Sequence, residues 1–217
     1  MIIRMIHTER WPRIRWILGA VSLAGFIIMS LLVAQHRTDW LDPPLIDAVQ
    51  AGEHPRITQA AQVLSYIGSV IPMFIICLIL AFMFYIRLRF RTELLLMLAV
   101  VAGSPILNSL LKWQFQRERP EIYRLAEAAG YSYPSGHAMS SVSFYGVLAY
   151  LLWRYMPGRA GKLILLAAAI VMMAAIGLSR IYLGVHYPSD IVGGYFAAAF
   201  WLTLCVAFYE RRFGRTS

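Results

Sequence analysis

Lys112, Arg119, His137, Arg180, His186 and Asp190 are the residues with which this chain can do chemistry, and they fall in three short polar stretches. The first runs from Lys112 to Arg119-Pro120. The second is Pro134-Ser135-Gly136-His137, and the third runs from Ser179-Arg180 through His186 to Asp190. Each borders a long apolar run rather than lying inside one. Two histidines, three cations and a carboxylate near one surface point to an anionic substrate and a histidine-based reaction.

Ser135 is a natural N-cap, which makes Gly136 and His137 the first residues of a helix. Their backbone N–H groups lack partners within that helix, and such a start binds phosphate or another oxyanion. Pro188 suits the first turn of the last apolar segment. Asp190, in that turn, can fold back to accept a hydrogen bond from His186, which fixes the ring tautomer and leaves Nε2 free as a nucleophile. Arg180 lies about one turn before the end of its segment, where a charge marks a site or snorkels to water. Ser104, Asn108 and Lys112 are spaced by four and share one helix face leading to the reactive loop. Taken singly, each feature also has an ordinary reading: a capped helix, an interfacial histidine, an anchoring lysine. Their conjunction carries more than any one of them.

The elements that must position these groups are apolar helices. The 217 residues are 59% hydrophobic and 14% charged, whereas a soluble domain is about a quarter charged. Six segments, residues 16–34, 60–86, 93–111, 137–156, 162–183 and 188–209, each approach or exceed the ~20 residues needed to cross the hydrocarbon as a helix. The alternation of barrel strands is absent. The expected fold is therefore an all-α membrane protein: one domain over residues 1–217, six transmembrane helices in one bundle. The first segment follows Arg10, Arg13 and Arg15, but no cleavage-like site follows Ala34, so it reads as a retained span. Cys77 and Cys205 sit in apolar runs and read as packing residues. No cysteine or histidine spacing resembles a zinc site and no acidic loop resembles a calcium site.

Assigning tails and links alternately to two sides separates the charges. One side holds 13 of the 20 cations (among them Arg4, Arg10, Arg89 and Arg215) against Glu9, Glu93 and Glu210; the other holds 7 cations against 8 acids. The positive-inside rule then puts both termini in the cytoplasm and all three polar stretches at the extracytoplasmic rim. The arginines lie in four separate cytoplasmic pieces without a binding motif, so the net charge of +9 reads as topology and lipid contact rather than nucleic-acid binding. Asp42-Pro43-Pro44 should break any helix, with a mildly amphipathic stretch after it. Gly193, Gly194, Ala197 and Ala198 should let the last span pack closely. His7, His36 and His54 have no partner that the sequence identifies.

Together, Lys112 with Arg119-Pro120, Pro134-Ser135-Gly136-His137, and Ser179-Arg180 with His186 and Asp190 resemble, in order and spacing, the three-part signature of the type 2 phosphatidic acid phosphatase superfamily, which includes vanadium haloperoxidases. The motifs directly cover about a third of the chain, and the six-segment layout extends the likeness to almost all of it. The resemblance implies His186 as the nucleophile that forms a phosphohistidine, Asp190 as its orienting partner, and His137 as general acid and then base. It implies Lys112, Arg119, Ser135, Gly136 and Arg180 as the phosphate-binding set, with no metal and no cofactor. The implied enzyme is a metal-independent hydrolase of lipid phosphates or diphosphates in the cytoplasmic membrane: phosphatidylglycerol phosphate, phosphatidic acid or undecaprenyl diphosphate, cleaved at the outer leaflet. The expected partners are the lipid substrate and the bilayer, with no obligatory protein. A phosphotransferase using the same phosphohistidine is the main alternative. A haloperoxidase fits six spans poorly, and a transporter would carry charges mid-span.

Overall fold

A computed structural model describes residues 11–88, 91–121 and 123–213. Its described residues form helices joined by turns and loops, with no strand. The helices are α1 (Trp11–Ala34), α2 (Asp42–Gln50), α3 (Pro55–Ile67), α4 (Val70–Leu88), α5 (Thr92–Phe115), α6 (Gly136–Leu152), α7 (Gly158–Tyr182) and α8 (Pro188–Phe213), with a 3₁₀ turn at Trp153–Tyr155. Five of them, α1, α4, α5, α7 and α8, are long and apolar enough to cross a membrane. Arg4, Glu9, Arg10, Arg89 and Arg215, which contribute to the charge asymmetry, and His7 lie outside the described residues.

α6 is the central element. It packs against α4, α5, α7 and α8, and its Ala138, Met139, Phe144, Val147 and Leu151 are buried. Below the polar cluster the core is made by Met73 and Cys77 from α4, Met97 and Val100 from α5, and Ile176 from α7. Both cysteines are free, Cys77 within that core and Cys205 half-buried beside it. Closely packed apolar atoms here fix the helix axes, and the polar ends inherit that rigidity.

Two expectations are corrected. The segment at 60–86 is not one helix: α3 ends at Ile67 and α4 begins at Val70. Gly68 between them is buried against α7, where a Cβ would come 2.5 Å from Ile176 Cγ2. Asp42-Pro43-Pro44 opens a helix rather than breaking one. Proline in the first turn has no N–H to lose, and its fixed φ suits a helix start. A third reading gains content. Gly194 lets α6 and α8 approach until a Cβ there would sit 2.9 Å from the Ser135 carbonyl oxygen, so the small residues of α8 set the distance between two signature stretches.

Candidate active site

Ser135 caps α6 as expected, its side chain accepting from the Ala138 N–H at 3.5 Å. Its own N–H donates to the Asp190 carbonyl at 3.0 Å, which ties the start of α6 to the start of α8. From α5, the Asn108 side-chain amide donates to the Pro134 carbonyl at 2.9 Å and to Met139 Sδ. Asn108 thus steadies the turn before α6, and Gly136 leaves room for it, since a Cβ would lie 3.0 Å from Asn108 Oδ1.

The turn between α7 and α8 carries His186. Gly184 in that turn has φ +69°, and a side chain on it would collide with the Tyr123 carbonyl. The result is a ring that is buried, 2% exposed, against a fully buried carboxylate: His186 Nδ1 lies 3.3 Å from Asp190 Oδ2. The other ring nitrogen, Nε2, lies 3.3 Å from Arg119 Nη1. A guanidinium can only donate, so Nε2 accepts and the hydrogen is on Nδ1, toward Asp190. Burial pushes the His186 pKa down to about 4; the Asp190 contact opposes this, while Arg119 and Arg180 add to it. At neutral pH the imidazole is therefore uncharged, with its lone pair on Nε2.

Arg119 is more tightly engaged than its signature position announced. Nε donates to the Gly130 carbonyl, Nη2 to those of Ala129 and Tyr131, and Nη1 to that of Val185 at 2.7 Å. With the His186 contact, each of its five N–H groups faces an acceptor. Arg180, at 6% exposure, reaches the Ser65 hydroxyl of α3 through one terminal nitrogen. Its Nε is buried without a partner, an unmet donor that a bound oxyanion would satisfy. Lys112, half-buried at the end of α5, lies within electrostatic reach of Arg119, Arg180 and Asp190.

His137 enters the cluster from the first turn of α6. Its Nε2 sits 3.1 Å from the Ser65 carbonyl oxygen, an acceptor only, so that nitrogen carries a hydrogen and Nδ1 is left to exchange one. The break after α3 supplies this acceptor, since the Ser69 N–H turns to the Tyr66 carbonyl and leaves that of Ser65 to His137. His137 feels the charges of Arg180, His186 and Lys112. The structure thus brings Lys112, Arg119, Ser135, Gly136, His137, Arg180, His186 and Asp190 to one end of the bundle.

Three contributors escaped the sequence. Ser65 holds both His137 and Arg180, from a helix with no signature residue. Arg117 lies between Asp190 Oδ1 at 2.7 Å and Asp42 Oδ2 at 2.8 Å. Asp42, 3% exposed, also accepts from the Ser189 N–H. Arg117 had a local signal, standing two residues before Arg119; Asp42 and Ser65 had none. His54 caps α3, accepting from the Arg56 N–H. The Tyr182 hydroxyl bonds to Thr58 at the same helix start.

A cluster of two histidines, a carboxylate and several cations at one end of an all-helical, multi-span membrane protein defines the class. A family model described as the PAP2 superfamily matches residues 93–214, which hold all eight signature residues and Arg117 but not Asp42, Ser65 or the start of α3. The chain belongs to that superfamily and is one of its lipid phosphatases. It is 28% identical to phosphatidylglycerophosphatase B of Bacillus subtilis over 86% of this chain and 92% of that one. It is 32% identical to the lipid A 1-phosphatase of Rhizobium johnstonii, over 52% of this chain and 46% of the relative. The crystal structure of the transmembrane PAP2 type phosphatidylglycerolphosphate phosphatase from Bacillus subtilis superposes with a TM-score of 0.82 at 26% identity, covering 92% of this chain and 98% of that one.

Proposed function

We propose that the chain removes phosphate from a membrane lipid through a phosphohistidine on His186, with its site at the outer leaflet. The observation that carries this reading is the polarised ring of His186: Nδ1–H toward Asp190, and a Nε2 lone pair facing the cationic cluster.

In the first step Nε2 attacks phosphorus in line, a P–N bond forms and the P–O bond to the lipid breaks. The departing lipid oxygen takes a proton from His137 Nδ1, so this ring must enter the step as the imidazolium, which the negative charge of the bound phosphate favours. In the second, water gives a proton to His137 and attacks phosphorus, the P–N bond breaks, and inorganic phosphate leaves. Lys112, Arg180 and the N–H groups at the start of α6 stabilise the equatorial oxygens as charge redistributes. These cations perform the neutralisation that a metal performs elsewhere, so the reaction is metal-independent.

α6, taken with the five long apolar helices, is the sixth span. The excess of arginine on one side supports cytoplasmic termini and a site facing away from the cytoplasm, in the cytoplasmic membrane. A lipid can leave its tails in the bilayer while its headgroup enters the cluster. Phosphatidylglycerol phosphate is the first substrate to try, because the Bacillus relative with nearly full coverage is named for it; phosphatidic acid and undecaprenyl diphosphate are the others.

Purified protein should release phosphate from at least one of these three, and the ratio of kcat/KM values identifies the preferred headgroup. His186→Asn should abolish release while the helical circular dichroism stays unchanged; a variant with near-normal turnover overturns the nucleophile. Ala128→Cys, in a background without Cys77 and Cys205, should react with an impermeant thiol reagent applied from outside the cytoplasmic membrane. Labelling only after lysis inverts the topology.

A further inference from the structure

The contact between α2 and the start of α8 joins residues 147 positions apart. Asp42 Oδ1 accepts from the Ser189 backbone N–H at 2.8 Å, and Oδ2 accepts from the Ser189 hydroxyl at 2.8 Å. A residue from the first outer link thus caps the helix that carries Asp190. Arg117 closes the circuit. One terminal nitrogen donates to Asp190 Oδ1 and Ser189 Oγ, both at 2.7 Å, and the other to Asp42 Oδ2 at 2.8 Å. The Tyr187 ring covers the guanidinium carbon at 4.0 Å. Asp190 is fully buried and Asp42 nearly so. Two carboxylates this close, removed from water, require a cation between them, and Arg117 is that cation. Burial alone would lower its pKa, but Asp190 and Asp42 more than offset this.

Each Asp190 oxygen consequently has a fixed task. Oδ1 takes Arg117, while Oδ2 takes the Tyr187 N–H at 2.9 Å and faces His186 Nδ1 at 3.3 Å. Without Arg117 the carboxylate would rotate or take up a proton. A protonated Asp190 no longer holds the Nδ1–H tautomer, and the Nε2 lone pair is lost. Arg117 does this without facing the phosphate site, since its terminal nitrogens are taken by Asp42, Thr38, Ser189 and Asp190.

We propose that Arg117 and Asp42 are positioning residues for the nucleophile: Arg117 bridges the two carboxylates, Asp42 caps α8, and together they hold Asp190 ionised and oriented toward His186. This rests on the reading of His186 and Asp190 given above and adds two residues to it.

The test is a double-mutant comparison in the detergent-purified full chain, using whichever lipid phosphate is turned over fastest. Arg117→Met should lower kcat roughly 10–100-fold, as removing the partner of an orienting group does, and change KM less than about threefold. Arg117→Lys should recover part of the loss. Asp42→Asn keeps an acceptor for Ser189 but removes the charge, and should cost about 10-fold. In an Asp190→Asn background, Arg117→Met should cost no more than about threefold further, because residues acting through one another do not add. Multiplicative losses in the double mutant, or a wild-type kcat in Arg117→Met, overturn the proposal. If Arg117→Met does not unfold cooperatively in detergent, Arg117→Lys and Asp42→Asn take its place; if they too fail to fold, the network is a brace for the fold alone and the proposal falls. Failure of the underlying reading looks different: Asp190→Asn itself would then turn over normally.

Discussion

Arg119 Nη1 stands 3.3 Å from His186 Nε2 while also donating to the Val185 carbonyl. One guanidinium therefore both reports the tautomer of the proposed nucleophile and covers its lone pair. For Nε2 to attack, that N–H must turn away, and a phosphoryl oxygen entering the cluster is the acceptor that would draw it. The remaining contacts of Arg119, to carbonyls of residues 129–131, hold the loop during such a change.

Arg119→Lys should therefore weaken two things at once. Lysine cannot reach four carbonyls from one planar fork, so kcat should fall and the loop should loosen. Limited trypsin digestion should cut after Arg124 faster in the variant. Equal cutting rates would show that the loop does not depend on the guanidinium.

The pH dependence follows from His186. Its folded pKa of about 4 lies below the ordinary value near ~6.5. As pH falls between these values the unfolded chain takes up a proton before the folded one does, so stability declines with acidification and is fully regained above about pH 6.5. In activity, kcat/KM for the free enzyme should fall along an acid limb with a midpoint near pH 4. A midpoint near pH 6.5 would mean a solvated ring.

Gly194→Val tests the approach of α6 to α8. The added side chain meets the Ser135 carbonyl and Ala138 Cβ at 2.9 and 3.0 Å, and overpacking of this kind costs about 1–3 kcal/mol. The start of α6 should also shift relative to Asp190. Activity should fall further than thermal stability alone accounts for; a variant with a lowered Tm and unchanged kcat would separate packing from the site.

Ser65→Ala removes the hydroxyl that meets Arg180 but keeps the carbonyl that meets His137. Leaving a buried guanidinium short of an acceptor costs about 1–3 kcal/mol. The loss should appear mainly as an increased KM, roughly 10-fold, because in the proposed mechanism Arg180 serves phosphate binding whereas the His137 proton path is intact. A loss confined to kcat would assign Ser65 to proton transfer instead.

Chelation gives the remaining check. Dialysis against EDTA should leave phosphate release unchanged, and a requirement for added magnesium would show that Lys112 and Arg180 do not suffice.

Much of the helical plan was legible because apolar length is a local property. The cap at Ser135, the proline start of α8 and the tight turn before it could each be read from a few neighbouring residues. The split between α3 and α4 could not, because both halves are apolar and the packing of Gly68 against Ile176 of another helix leaves no local mark. Asp42 was misread for a similar reason. Its pair of prolines states a helix end or a helix start equally well, and its true partners lie at 117 and 189. The Ser65 carbonyl is a backbone group, visible to no side-chain pattern. Residues within one stretch announce themselves; residues that support them from across the bundle need the fold.

The capping of α8 by Asp42 also bears on biogenesis. Synthesis delivers Asp42 early, and it must wait for nearly the whole chain before Ser189 emerges. Until then the link between α1 and α3 lacks its hold on α8, and neither His186 nor its carboxylate is in place. If His186 and Asp190 carry the proposed reaction, a half-inserted polypeptide is inert toward lipid, and cleavage begins only once the final helix has seated.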